Sequence, residues 1–170
     1  MPSPAVVQLV AYNPRWPELF ERETSRIRAA LDTHSLTIEH VGSTAVPGLV
    51  AKPVLDILLV VADSANEALY APALQRAGHH LQLREAQWNE HRLFRGPDTE
   101  INLHVFFCGC LEIERMLRFR NWLRGNAADR ELYSSTKSAL AAKAWSSVDH
   151  YADAKTTVVE AILARAMAVS

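Results

Sequence analysis

Cysteine is scarce, with two among 170 residues, Cys108 and Cys110. One intervening residue does not suit an ordinary disulfide, and two thiols alone make no zinc site. The pair reads as a turn of small residues in a reducing, cytoplasmic setting. An excess of one charge is also missing. Lysine plus arginine number 18 against 19 acids, a net charge of −1. That balance gives no global field toward nucleic acid or an anionic membrane. No apolar run approaches the ~20 residues needed to span a bilayer. The opening MPSPAVVQLVAYNP lacks the basic, apolar and small-residue order of a secretion signal. Repeats, low-complexity tracts and linkers are not evident. What is present is 49% hydrophobic and 22% charged, ordinary for a soluble globular chain. Residues 1–170 are read as one domain with a real core.

The order of apolar patterns predicts the elements. Residues 6–10 suit an edge strand, and Tyr12-Asn13-Pro14-Arg15-Trp16-Pro17 a turn. Leu19, Phe20, Glu23, Ile27 and Leu31 recur at helical spacing, predicting a helix over 17–31 with proline in its first turn. Residues 36–41 alternate as a strand that Gly42-Ser43-Thr44 ends. Ser43 or Thr44 is placed to cap a helical turn, which Lys52-Pro53 closes. Residues 54–61 are apolar on both alternating faces, the mark of an internal strand covered on two sides. Asp63-Ser64 then caps a helix through Leu69, Leu74 and Ala77, stopped by Gly78. Residues 80–84 and 92–95 read as a hairpin, with His79, His80 and His91 as flanking surface groups. Residues 100–107 alternate again, with Glu100, Asn102, His104 and Phe106 on one face. Helices over 112–124 and 127–146, and one from Asp149, complete the chain. Trp122 and Tyr133 read as core. The fold class is α+β, a mixed sheet flanked by helices with a helical C-terminal part.

Asp56 is the single acid in the strand 54–61. A carboxylate there is costly to bury unless it is paired or metal-bound. One reading pairs it with Lys52 or an arginine. The other opens it into a pocket. Gly42-Ser43 supports the second, because backbone N–H groups at a helix start attract anions. Lys52 fits either a phosphate or Asp56. Glu100 and His104, from the strand at 100–107, and His40, from the strand at 36–41, could join Asp56 around a metal ion. A strand histidine is more often a hydrogen-bonded structural residue. Arg118 and Arg120 stand two apart on a helix, so no more than one of them reaches a common cleft.

Two further patterns carry a family resemblance. Val41-Gly42-Ser43, residues 44–55 and then Asp56-Ile57-Leu58 resemble the nucleotidyltransferase superfamily, with Leu58 where a second acid is usual. The longer string EHVGSTAVPGLVAKPVLDI is similar to the GrpB family, a branch of that superfamily. The likeness extends to Tyr12-Asn13-Pro14-Arg15-Trp16, Asn102-Leu103-His104-Val105, Arg118-Phe119-Arg120-Asn121-Trp122-Leu123 and Tyr151-Ala152-Asp153-Ala154-Lys155, nearly the whole chain. The resemblance implies a nucleotidyltransferase fold. It implies transfer of a nucleotidyl or related phosphoryl group, with Mg²⁺ or Mn²⁺ as the divalent ion and Asp56 as the catalytic acid. The expected ligand set is Gly42, Ser43, Thr44, Lys52 and Arg118 for phosphate, and Asp56, Glu100, His104 and His40 for metal. The partner is a nucleotide or phosphorylated small molecule. Leu58 leaves two alternatives open. One is a module that binds a nucleotide or coenzyme A-like ligand without turnover, since some relatives are fused to a dephospho-coenzyme A kinase domain. The other is a hydrolytic metal enzyme using His40, Asp56 and His104.

Overall fold

The structure, a computed structural model, describes residues 7–143 and 148–169. Proline in the first turn starts α1, Trp16–Leu31, whose Trp16, Ile27 and Leu31 are buried. Strands β1, Thr37–Val41, and β2, Leu55–Val61, follow. Helix α2, Ala71–Arg76, leads to β3, His80–Glu85, β4, His91–Arg95, and β5, Ile101–Phe107. The chain continues through α3, Leu111–Gly125, α4, Ala127–Ala141, α5, Val148–Ala154, and α6, Thr156–Ala168. The five strands form one mixed sheet in the order β1-β2-β5-β4-β3. β2 runs parallel to β5 and antiparallel to β1, so it is hydrogen-bonded on both edges.

Alternation gives the sheet two apolar faces. Leu55, Ile57, Leu59 and Val61 of β2 pack with Leu103, Val105, Ile27 and Leu31 in one cluster. Leu58 and Val60 point the other way and pack with Phe106, Met116 and Leu117. α3 therefore covers the Leu58 side of β2, the side that also carries Asp56. The C-terminal helices hold the segment after β1: Val46 and Leu49 are buried with Leu123, Tyr133 and Ile162. Asp129 joins α3, α4 and α6, accepting from Trp122 Nε1 at 2.6 Å and from Arg165 Nε at 2.9 Å.

Three expectations are corrected. Residues 7–10 form no strand, only a bridge between Val10 and Ala51, and residues 1–6 lie outside the described part. The expected helix from Asp63 to Ala77 is a short 3-10 turn, Glu67–Leu69, followed by α2. Pro72 is in the first turn of α2, where a ring without an N–H starts a helix better than it continues one. The expected last helix is two, meeting at Lys155. Residues 144–147, within the helix expected over 127–146, lie outside the described part.

Candidate functional site

β1 delivers the chain into a turn at the mouth of a cavity. Gly42 has φ +73°, and a Cβ there would stand 2.5 Å from Asp56 Oδ2. Glycine is thus required both by the backbone conformation and by the carboxylate's close approach. Ser43–Ala45 forms a 3-10 turn whose cap position makes no side-chain hydrogen bond. The hydroxyls look elsewhere. Ser43 Oγ accepts from Lys137 Nζ at 2.7 Å, and Thr44 Oγ1 is hydrogen-bonded to His40 Nε2 at 2.8 Å.

Asp56 faces this turn and is held from behind. His104 Nε2 lies 3.0 Å from Oδ1, and Asn102 Nδ2 donates to the same oxygen at 3.2 Å. β5 supplies both, because its parallel register sets Asn102 beside Asp56 and His104 two residues on. Oδ2 takes no hydrogen bond among the described residues and is the oxygen nearest Gly42. Burial alone raises the carboxyl pKa. The bonds from His104 and Asn102 and the charge of Lys52 outweigh it, so the pKa is lowered and Asp56 is ionised at neutral pH. The bonding continues outward. His104 Nδ1 is 3.0 Å from His91 Nε2, and His91 Nδ1 is 2.8 Å from Glu85 Oε1.

Lysines face the acid. The cavity, about 210 Å³, is bordered by Gly42, Ser43, Asp56, Lys52, Lys137 and Lys155. Lys137, from α4, is buried and also donates to the Val50 carbonyl at 2.6 Å. Burial, then the charges of Lys155 and Lys52, push its pKa down to about 7. Lys155 falls to about 8 by burial and the charge of Lys52. Their ammonium groups lie 4.8 Å and 4.7 Å from the ring centroids of Tyr133 and Tyr151. Three lysines and one carboxylate thus border this small space.

The structure brings Gly42, Ser43, Thr44, Lys52 and Asp56 to this one cavity, with Asn102. His104 stands behind Asp56, outside the lining. His40 sits on the opposite face of the sheet, since Val41 pairs with Asp56 and His40 with Ile57. There it stacks on Phe20, ring centroids 5.0 Å apart. Burial and the charge of Arg124 lower its pKa to about 4. Glu100 is 72% exposed and pairs with Arg95 at 3.2 Å. Arg118 turns outward to Glu114 at 2.9 Å. Lys52 makes no hydrogen bond to Asp56, so the carboxylate is not sealed by a lysine or an arginine. Among the described residues no three of His, Cys, Asp and Glu gather as a metal cluster. His79 and His91 are buried at 1% and 4% exposure, not surface groups. Tyr133 is buried as expected, yet it also borders the cavity. Sequence reasoning missed Lys137 and Lys155 as site residues. Lys155 lies in the quoted YADAK string, which was the available signal; Lys137 had none beyond its place on a helix with an apolar stripe.

Comparison with known proteins gives the following. The family described as GrpB protein matches over residues 6–165. A UPF0157 protein of Halalkalibacterium halodurans is 56% identical over 167 residues, covering 98% of this chain and 86% of that protein. The crystal structure of the conserved protein GrpB from Enterococcus faecalis superposes with TM-score 0.80 at 31% identity, over 94% of this chain and 96% of that one. The Cid1 poly(U) polymerase with MgGTP bound superposes with TM-score 0.53 at 11% identity, over 72% of this chain and 42% of its own, a likeness of fold.

Proposed function

The chain belongs to the GrpB family and has a nucleotidyltransferase-like fold, and from that premise we propose that it binds a nucleotide or other phosphorylated small molecule beside Gly42 and Ser43 and transfers a nucleotidyl or related phosphoryl group. The observation that carries this is Asp56 Oδ2, left without a hydrogen bond among the described residues and turned toward a cavity that Lys52, Lys137 and Lys155 share. The lysines compensate a phosphate chain. At about 210 Å³ the space takes phosphates, with the rest of the molecule outside.

Asp56 by itself would repel those phosphates. Asp56 would hold a divalent ion that would offset this repulsion, as an oxygen-binding ion such as Mg²⁺ accepts one or two carboxylates and keeps several waters. The donor set fits one such ion on Asp56 and does not fit a pair, because Leu58 is fully buried where a second acid would stand. When bound, the ion supplies charge neutralisation and alignment for an in-line displacement. The chain's own residues do the rest. His104 and Asn102 fix the rotation of Asp56 so that Oδ2 faces the ligand. Lys137, from α4, and Ser43, from the turn after β1, orient the phosphates.

Titration calorimetry with nucleoside triphosphates, with and without Mg²⁺ or Mn²⁺, tests this. We expect the ion to tighten binding at least tenfold, and Asp56→Asn to erase that dependence while metal-free binding persists. Folded protein that binds none of the triphosphates sinks the reading. Leu58 favours one second reading, a nucleotide-binding module without turnover. Ion-dependent binding with no product or pyrophosphate released would select it.

A further inference from the structure

A second cavity lies on the other side of residues 42–47, and the proposed transfer makes no use of it. It measures about 620 Å³, within the range of small-molecule sites. Thr44 borders both cavities. Three of the strings quoted for the family likeness reach this one: Glu39 and Pro47 from EHVGSTAVPGLVAKPVLDI, Tyr12 from Tyr12-Asn13-Pro14-Arg15-Trp16, and Arg120 from the helix at 118–123.

Its charge is unbalanced. Arg120, Arg124 and Arg130 line it with Glu21 and Glu39. Glu39 is taken by Arg120, whose Nη1 donates to it at 2.7 Å and to the His40 carbonyl at 2.9 Å. Arg124 donates only from Nε, to the Ala45 carbonyl at 2.9 Å, so its two terminal nitrogens are free among the described residues. Arg130 Nη1 serves the Leu123 and Arg124 carbonyls at 2.9 and 3.2 Å. Neither Arg124 nor Arg130 has a carboxylate in ion-pair range among the described residues. His40 adds no charge at neutral pH, with a pKa of about 4. Guanidinium groups with unused N–H donors match the paired oxygens of a carboxylate or phosphate. The remaining wall is apolar and includes two aromatic rings: Tyr12, Phe20, Pro17 and Pro47. Such a wall takes a planar body.

We infer that this cavity is a binding site for a small planar molecule bearing a carboxylate or phosphate, its anionic end on Arg124 and Arg130 and its body against Tyr12 and Phe20. The site is separate from the lysine cavity, and its existence does not depend on the proposed transfer.

The test is calorimetry with phenyl phosphate, benzoate and inorganic phosphate. We expect one or both aromatic anions to bind at least tenfold more tightly than inorganic phosphate; which one does so identifies the anion. Arg124→Ala is expected to weaken that binding tenfold or more. Lys52→Ala and Lys155→Ala are expected to leave it within twofold. Loss in the lysine variants only, equal binding of inorganic phosphate, or no binding of either aromatic anion would overturn the inference. The unaltered chain supplies a second readout. Amide NMR shifts on adding the bound anion should fall at Ala45 and residues 120–124; shifts confined to Lys137 and Lys155 would overturn the inference equally.

Discussion

Lys137 combines two properties that seldom coexist, an ammonium group and near-complete burial. Burial and the neighbouring lysines hold its pKa at about 7, so at pH 7.5 most of the population is uncharged. A phosphate in the cavity reverses this by favouring the charged form. Binding at pH 7.5 should then take up protons, more on Lys137 than on Lys155. Calorimetry in buffers of different ionisation enthalpy measures that uptake. In Lys137→Gln it should fall by more than half, and an unchanged uptake would disprove the assignment. The sign for stability follows from the same shift. Between pH 7 and the ordinary lysine value the unfolded chain holds the extra proton, so without ligand the fold gains stability as pH rises through that window. His40, at about 4, adds a loss of stability as pH falls below 6.5.

At the scale of elements, β2 and α3 explain why only one acid remains on this strand. Two acids spaced i, i+2 share a face, so the partner of Asp56 would stand at Leu58. That position lies beneath α3, packed with Val60, Phe106, Met116 and Leu117 and fully buried. A carboxylate there meets hydrocarbon, not the cavity. Leu58→Asp should therefore lower stability by about 3 kcal/mol or more and bring no gain of transfer. Chemical denaturation and a product assay check the two halves. A stable, more active Leu58→Asp protein would show that the cavity extends to this position. The turn after β1 works in the opposite sense. There the glycine leaves room, and Asp56 Oδ2 fills it.

The whole molecule assembles the lysine cavity from distant parts of the chain, two of which face each other across it. Residues 42–56 form one wall, while Lys137 and Lys155 reach in from α4 and the α5–α6 junction. The Lys137 bonds to Ser43 and to the Val50 carbonyl tie the two parts together even without ligand. A ligand bridging them should slow amide exchange in both at once. Hydrogen exchange with a triphosphate and Mg²⁺ is expected to protect residues 43–51 and α4 with the same concentration dependence. Protection of one part alone would mean that the ligand does not span the cavity.

Local patterns by themselves determined a large share of this. Alternation located β1 and β5, because pleated strands send successive side chains to opposite faces, a run apolar on both faces located β2, and the VGS to Asp56 spacing marked the turn and its acid. Local patterns could not fix register. Only the sheet decided that Val41 pairs with Asp56, a one-residue matter that sends His40 to the far face and removes it from any shared centre. Nor could spacing show that Lys137 lies 2.7 Å from Ser43, a contact across 94 residues. Side-chain periodicity is a property of a few neighbouring residues. Which elements meet, and what their unpaired polar atoms then face, depends on packing between segments far apart in the chain.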